Sequence, residues 1–480
     1  AGLKIYINGL AVPVRTVRDR LKKGIGSSTL VFGERFRDRG FKSGQIGDIA
    51  IFQRAITPIE VAQLNDGRSL TTALAQPGQH VEVLRSYYLS ALDSPCRTAR
   101  AVLETARKEI VDSENAQFEV AVMQEMSHPR PTYCLARGRY DAKVTAADLV
   151  GRTTPASLIP WPAGVRRDRL GLAKWLMLPN HPLTARVEVN RLWSQMFGTG
   201  LVLTPEDFGT QGKPPTHPRL LDWLARRFIQ SGWNIKAMLK LIALSSTYRQ
   251  SSRQRPDLRA RDPENELLAR GPSFRLSAEE IRDTALAASG LLNGAVGGAP
   301  VSPYQPGDLW TESNSMSPAY DQSVGTGLYR RSIYTVWKRT APMPNMIAFD
   351  AGTREVCLAR RDVTNTPTQA LVLLDDTQFV EAARVLGERM LKEGGADDSN
   401  QIDFAFRLLT GRRPDSVELR LLKDLYSSQR TLYKADPAAA AKLAAIGEKK
   451  VDPRLNPADV AAAAIVAQTI MNMDASVWNR

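Results

Sequence analysis

Cysteine and histidine are scarce in this 480-residue chain, and their spacing removes several chemistries at once. The three cysteines, Cys96, Cys134 and Cys357, form neither a CxxC pair nor a CxxCH signature, so no haem is attached covalently to this chain by that route. They fit one disulfide with a leftover thiol, or three buried thiols. The four histidines, His80, His128, His181 and His217, lie far apart and three precede proline, a pairing typical of turns. No histidine metal site is expected. No stretch approaches the roughly 18 uninterrupted apolar residues of a membrane span, and no signal-peptide pattern opens the chain. Repeats are missing, and alanine clusters at 438–445 and 461–464 simply favour helix. Acidic residues fall short of basic ones, 50 against 64, giving a net charge of +14. That excess attracts anionic polysaccharide, an acidic protein or nucleic acid. The arginines are spread through nearly every segment, however, and no helical stretch reads as a one-sided basic ladder with interleaved aromatics, so nucleic acid is not an expected partner.

What is present suffices for real cores: the chain is 43% hydrophobic and long enough for two to four domains. Residues 3–56 carry β signals. LKIYING alternates and ends in an Asn-Gly turn, STLVFG follows, and GQIGDIAIFQRAI alternates again. A closed two-sheet core needs about seven strands, so residues 1–66 are expected to be half of an antiparallel β-sandwich. The chain starts at Ala1, inside that half, so it is expected to be the later part of a longer or processed polypeptide. The other half of the sandwich is then a partner from the same precursor or another chain. Residues 67–127 predict a helical hairpin or spacer, and 128–167 an extended connector rich in proline and glycine.

Residues 168–480 predict a mainly α-helical domain, with helices at 168–178, 183–197, 217–230, 234–247, 277–292, 367–392, 402–410, 415–434 and 456–473. Ser277 and Glu280 form a capping box ahead of one of them. A long irregular insert at 293–365 is expected to be functional or interface-forming. In the 183–197 helix, Val189, Leu192, Trp193, Met196 and Phe197 make the buried stripe, and Arg186 and Asn190 fall in line with it. A guanidinium so placed needs acceptors, and Glu206, Asp207 and Asp222 are the carboxylates available. The functional reading is an anion or cofactor pocket, with Arg186, Asn190, Glu206, Asp207 and Cys357 as catalytic candidates. The structural reading is a salt-bridge network that pins the following loop to the helix. Among the tryptophans, Trp310 in the PYQPGDLW loop is the one expected to be exposed.

Two resemblances add to this reading. Gly44, Ile46, Asp48, Ile51, Phe52, Arg54, Ala55, Ile56, Thr57, Pro58, Glu60 and Leu64 resemble the closing strand and short helix of laminin-G-like, concanavalin-A-type jelly rolls. Gly47 precedes Asp48 where that family often shows an acidic pair, and no binding residue is carried over. The strings HPRPTYCLARGRYD, NHPLTARVEVNRLW, TPEDFGTQGKPPTHPRLLDWLA, SSTYRQSS, FRLSAEEIRDTALAASGLL, PYQPGDLW and the run from Leu328 to Arg384 are similar to the C-terminal domain of planctomycete cytochrome-c-associated extracytoplasmic proteins, domain of unknown function 1553. That resemblance implies export, haem c on an N-terminal domain or partner chain, and the company of sulfatase-like proteins and polysaccharide-degrading systems. It implies no known reaction.

Within this domain Arg354, Cys357, Arg360 and Arg361 precede Thr364-Asn365-Thr366-Pro367, where Thr364 or Asn365 is the expected cap. A helix N-terminus beside arginines suits a sulfate, a carboxylate or a haem propionate, and the same arginines would lower the Cys357 thiol pKa. The alternative is structural arginines around a small buried thiol. The expected function is a non-haem scaffold or substrate-side subunit of an extracytoplasmic electron-transfer or polysaccharide-processing assembly. The alternatives are an enzyme on sulfated or carboxylated glycans and a glycan-binding adhesion module. An enzyme requires the named polar residues to converge on one concave pocket; a scaffold requires them to disperse into salt bridges.

Overall fold

The computed structural model describes residues 4–15, 45, 47–52, 54–116, 120–307, 309–313 and 319–479. The chain divides into two compact units, residues 1–130 and 131–480.

In the first unit, β1 (Ile5–Ile7) pairs antiparallel with β2 (Leu10–Val12), with Ile5 opposite Val12 and Ile7 opposite Leu10. Asn8 and Gly9 turn between them with φ of 50° and 79°, the left-handed pair that an Asn-Gly hairpin turn demands. The expected strand STLVFG lies outside the described residues, as do Gly44 and Ile46. Residues 47–52 carry no strand pairing with other described residues, and Ile51 is 75% exposed. An alternating pattern becomes a strand only where a neighbouring backbone accepts it. The hairpin is the one piece of the expected sandwich seen among the described residues of this unit.

Helices follow at α1 (Pro58–Asp66), α2 (Ser69–Ala75), α3 (Val81–Tyr87) and α4 (Ser94–Ala116). Glu60 starts α1 by accepting from the Thr57 backbone at 2.8 Å. Its contact with Arg54, backed by the Thr57 bonds, holds the carboxyl down to about 2.

The second unit opens with a two-strand clip, β3 (Thr132–Tyr133) on β4 (Leu149–Val150). It is then mainly helical, as its periodicity predicts. After α5 (Arg169–Leu176), a first core is formed by α6 (Thr184–Phe197), α7 (Pro218–Gln230) and α8 (Ile235–Ala243). Val189, Leu192, Trp193 and Phe197 of α6 meet Leu221, Leu224 and Phe228 of α7 and Met238 and Ile242 of α8. The apolar spacing on each helix is what makes those faces available.

The larger core is built from α10 (Ala278–Ser289) and later helices, after the short α9 (Pro256–Arg261). Short helices α11 (Leu309–Ser313) and α12 (Pro344–Ala348) lie in the irregular insert. They are followed by α13 (Pro367–Asp375), α14 (Thr377–Glu393), α15 (Asp398–Thr410), α16 (Ser416–Ala435), α17 (Pro437–Ala444) and α18 (Pro457–Met471). The expected single helix at 367–392 is two, because Asp376 turns extended and caps α14 by accepting from the Gln378 N–H. Small residues let α14 and α18 approach closely: a Cβ on Gly387 would stand 2.7 Å from the Ala464 nitrogen. A final pair, β5 (Phe274–Arg275) with β6 (Trp478–Asn479), ties the chain end to the start of α10.

The described residues carry no disulfide: Cys134 and Cys357 are exposed and Cys96 is half-buried, which corrects the expectation of buried thiols. No helix among the described residues is long and apolar enough to cross a membrane.

Candidate functional site

The 180–228 segment is organised by its own polar residues. His181 accepts through Nδ1 from the Leu183 and Thr184 N–H groups at 3.3 and 3.2 Å, serving the start of α6, with its ring edge-on to Trp175. Burial lowers its pKa below the ordinary imidazole value. Asn190, 1% exposed, uses both ends of its amide: Oδ1 accepts from Val202 N at 2.8 Å and Nδ2 donates to Val202 O at 3.1 Å. That pair fixes the loop after α6. Gly200 is required beside it, since a Cβ there would sit 2.5 Å from Nδ2.

Arg186 is half-buried, as its phase suggested. Its side chain keeps 36% exposure while Nε donates to Asp222 at 2.7 Å, linking α6 to α7 at the surface. The long guanidinium stem lets the charge reach the rim of the face on which its Cα lies. Asp207 caps a turn by accepting from Gly209 N at 2.6 Å. Glu206 faces Arg360 at 3.5 Å with both side chains well exposed.

The arginines before α13 also have internal partners. Arg361 donates to both oxygens of Glu279 on α10. Burial pushes the Glu279 carboxyl up, but Arg361 with Arg354 nearby more than reverses it and leaves it below the usual range. Arg354 lies over the Trp337 ring at 4.7 Å. The expected cap at Thr364 or Asn365 is corrected: Thr366 is the N-cap, with Gln369 completing the box. Thr364 instead donates its N–H and hydroxyl to Asp350 at 2.8 Å each, and its carbonyl accepts from Arg275; Asn365 is exposed. The anions beside Arg360 and Arg361 are therefore the chain's own carboxylates, Glu206 and Glu279. Cys357 is exposed in the same loop.

Arg186 and Asn190 thus belong to one brace, and Glu206, Arg360, Arg361 and Thr364 to contacts that hold the 350–364 loop against its neighbours. Among the described residues, no group of histidine, cysteine and carboxylate side chains is placed to hold a metal ion.

Sequence reasoning missed the most buried polar groups, which lie where the insert docks on α10 and α14. Arg282, 1% exposed, donates to Arg330 O, Leu328 O, Ser332 Oγ and Gln378 Oε1 at 2.8–3.2 Å. One face of α14 presents Gln378, Glu381, Arg384 and Glu388, all buried, at a three-to-four-residue spacing that was legible as a polar stripe inside an apolar helix. Asp376, at the head of that helix, is pushed up by burial. The tryptophan expectation also changes. Trp310 is half-buried against Tyr320, and Trp223 on α7 is exposed at 53%.

Three phenols around this docking surface give a pH signature. Tyr329 donates to Glu381 Oε1 at 2.9 Å, and Tyr304 accepts from Glu448 N at 2.8 Å. Burial, and then the Glu381 carboxylate, push Tyr304 up to about 12 and raise Tyr329 strongly as well. Burial raises Tyr320 to about 12. These groups hold their protons in the folded chain above the pH, about 10, at which the unfolded chain releases them. The stability they contribute is therefore full below about pH 10 and is lost as pH rises through about 12. Tyrosinate absorbance and far-ultraviolet circular dichroism, titrated together, should show the last phenols ionising only as the helices unfold. Complete ionisation with helices intact would contradict the burial of these rings.

No curated protein and no solved structure matches the chain. The family model described as PSD1, protein of unknown function (DUF1553), matches residues 168–426, more than half of the chain and the segment that holds both braces and the insert. The chain belongs to this family.

Proposed function

We propose that this chain is a non-haem, mainly helical scaffold or substrate-side module of an exported cytochrome-c-type protein, working in an extracytoplasmic electron-transfer or polysaccharide-processing assembly. One observation carries the non-catalytic part: Arg186, Asn190, Glu206, Arg360 and Arg361, all singled out by sequence, pair off within the chain. Arg186 meets Asp222, Arg360 meets Glu206, Arg361 meets Glu279, and Asn190 braces Val202. Ion pairs of this kind fix geometry, whereas a catalytic set keeps groups free toward a substrate.

The redox side rests on the resemblance of the motif strings to cytochrome-associated proteins, with haem c on another domain or chain, and the N-terminal hairpin is read as part of a laminin-G-like sandwich completed from elsewhere. Sulfatase-like proteins and anionic polysaccharide are the proposed company of the assembly.

The test is isolation of the native assembly by a tag on this chain from a membrane-free extracytoplasmic fraction. A Soret band that co-elutes with the chain is expected. An assembly without haem absorbance, or a chain recovered only from the cytoplasm, would sink the redox reading. Turnover of a sulfated glycan by the chain alone, abolished by Arg361→Ala or Cys357→Ser, would replace the scaffold by the enzyme.

A further inference from the structure

Although the basic residues are spread along the chain, most of its net charge of +14 arises in one stretch. Residues 213–261 hold eleven lysines and arginines against two aspartates, and both aspartates are in ion pairs, Asp222 with Arg186 at 2.7 Å and Asp257 with Arg255 at 2.9 Å. Within that stretch α7 buries Leu221, Leu224 and Phe228 on its inner side. At 100° per residue, Arg219, Trp223, Arg226, Arg227 and Gln230 fall together on the opposite side. All five are exposed, and none of the three arginines is in an ion pair among the described residues. A basic, aromatic helix face, absent from the one-dimensional reading, therefore exists on α7.

Trp223 is the informative residue. All eight tryptophans are described, and only this one is in the exposed class. An indole left in water forgoes a large burial gain, and with arginine it is the residue type that dominates binding surfaces. Arg219 and Arg227 lie about 12 Å apart along the helix axis with Trp223 between them. Arg186 takes up the charge of Asp222, the acid that flanks this face.

We propose that the outer face of α7 is a binding surface for an acidic polysaccharide: one pyranose ring stacks on Trp223, and Arg219, Arg226 and Arg227 hold the sulfate or carboxylate groups of that residue and its neighbours. Planar guanidinium forks match such groups two bonds at a time. A nucleic acid strand binds by stacking successive bases on several aromatics, and this face offers a single platform. The inference rests on the substrate-side reading proposed above and names where that reading would be exercised.

The test uses the full chain with dextran sulfate, neutral dextran and a single-stranded oligothymidylate as probes. The wild type is expected to bind dextran sulfate in a salt-dependent manner and to ignore neutral dextran. Trp223→Ala should weaken binding roughly tenfold, Trp223→Phe should retain most of it, and Arg219→Ala with Arg226→Ala should weaken it roughly tenfold or more with a shallower salt dependence. Melting temperatures should stay unchanged, because these side chains lie opposite the core. Variants that bind dextran sulfate within about twofold of the wild type overturn the α7 site while leaving a polysaccharide-binding module intact elsewhere on the chain. A wild type that binds no dextran sulfate overturns the site and the polysaccharide side of the functional reading together. Oligothymidylate bound as tightly, through the same residues, overturns the choice of ligand.

Discussion

Replacing Arg282 with alanine is expected to lower the unfolding free energy by about 3–5 kcal/mol, the loss typical of breaking a buried charged network from one side. The guanidinium is 1% exposed, and its four hydrogen bonds join three parts of the fold. It projects from α10, takes the carbonyls of Leu328 and Arg330 in the insert, and meets Gln378 at the first turn of α14. Deleting it strands two backbone carbonyls and an amide oxygen where water does not reach. Asp283, 3.7 Å away, also loses a cation. Lysine should not rescue, since one ammonium cannot present a planar fork to acceptors on different segments. Urea denaturation gives the magnitude, and limited proteolysis gives the place: cleavage in the variant should appear first between residues 293 and 335. A variant within about 1 kcal/mol of the wild type would mean that the insert is held by its apolar contacts, Leu328 and Tyr329 on Leu286, and not by this node.

How much of this was legible in sequence depended on the range of the interaction. The helices of the second unit were readable because their signal is local: Val189, Leu192, Trp193 and Phe197 announce a buried face, and Ser277 with Glu280 announces a start. The break at Asp376 was missed because strong apolar periodicity continues on both sides of a single capping residue. Phase placed Arg186 in line with the buried face, where it is half-buried, but did not say which acid it would reach, Asp222 lying 36 residues on. Arg282 was invisible for a different reason: its partners lie 46 to 96 residues away in sequence, and nothing near it marks it as buried. The candidate arginines at 360 and 361 lie against carboxylates of the chain itself. Which carboxylates these would be depended on Glu206 and Glu279, whose proximity only the fold supplies. In the first unit the hairpin at Asn8-Gly9 was legible because its turn is chemically specific.

Arg384→Met should cost a similar 3–5 kcal/mol, and here a second substitution separates the charge from the packing. Arg384 is fully buried on the polar stripe of α14. It donates to Ile446 O at 3.2 Å and Lys449 O at 2.5 Å, contacts Glu388, and stands 3.9 Å from Glu381. It thereby fastens the 446–449 turn, where Gly447 passes so close that a Cβ would lie 2.2 Å from the Glu381 carboxyl carbon. Methionine preserves much of the side-chain volume, so the loss reports stranded carboxylates more than a cavity. Glu388 would keep Lys392, 3.8 Å away, and a hydrogen bond from Asp452 N, and Glu381 would keep its hydrogen bonds from Tyr329 and Lys449 N without a cation. Neutralising one stranded acid should therefore recover stability: Arg384→Met with Glu388→Gln is expected to be more stable than Arg384→Met alone, by about 1–3 kcal/mol, a coupling of the size found between groups in one buried network. If the double variant is no more stable than the single one, the network is held by backbone bonds to the 446–449 turn, and the buried charges contribute little to docking that turn on α14.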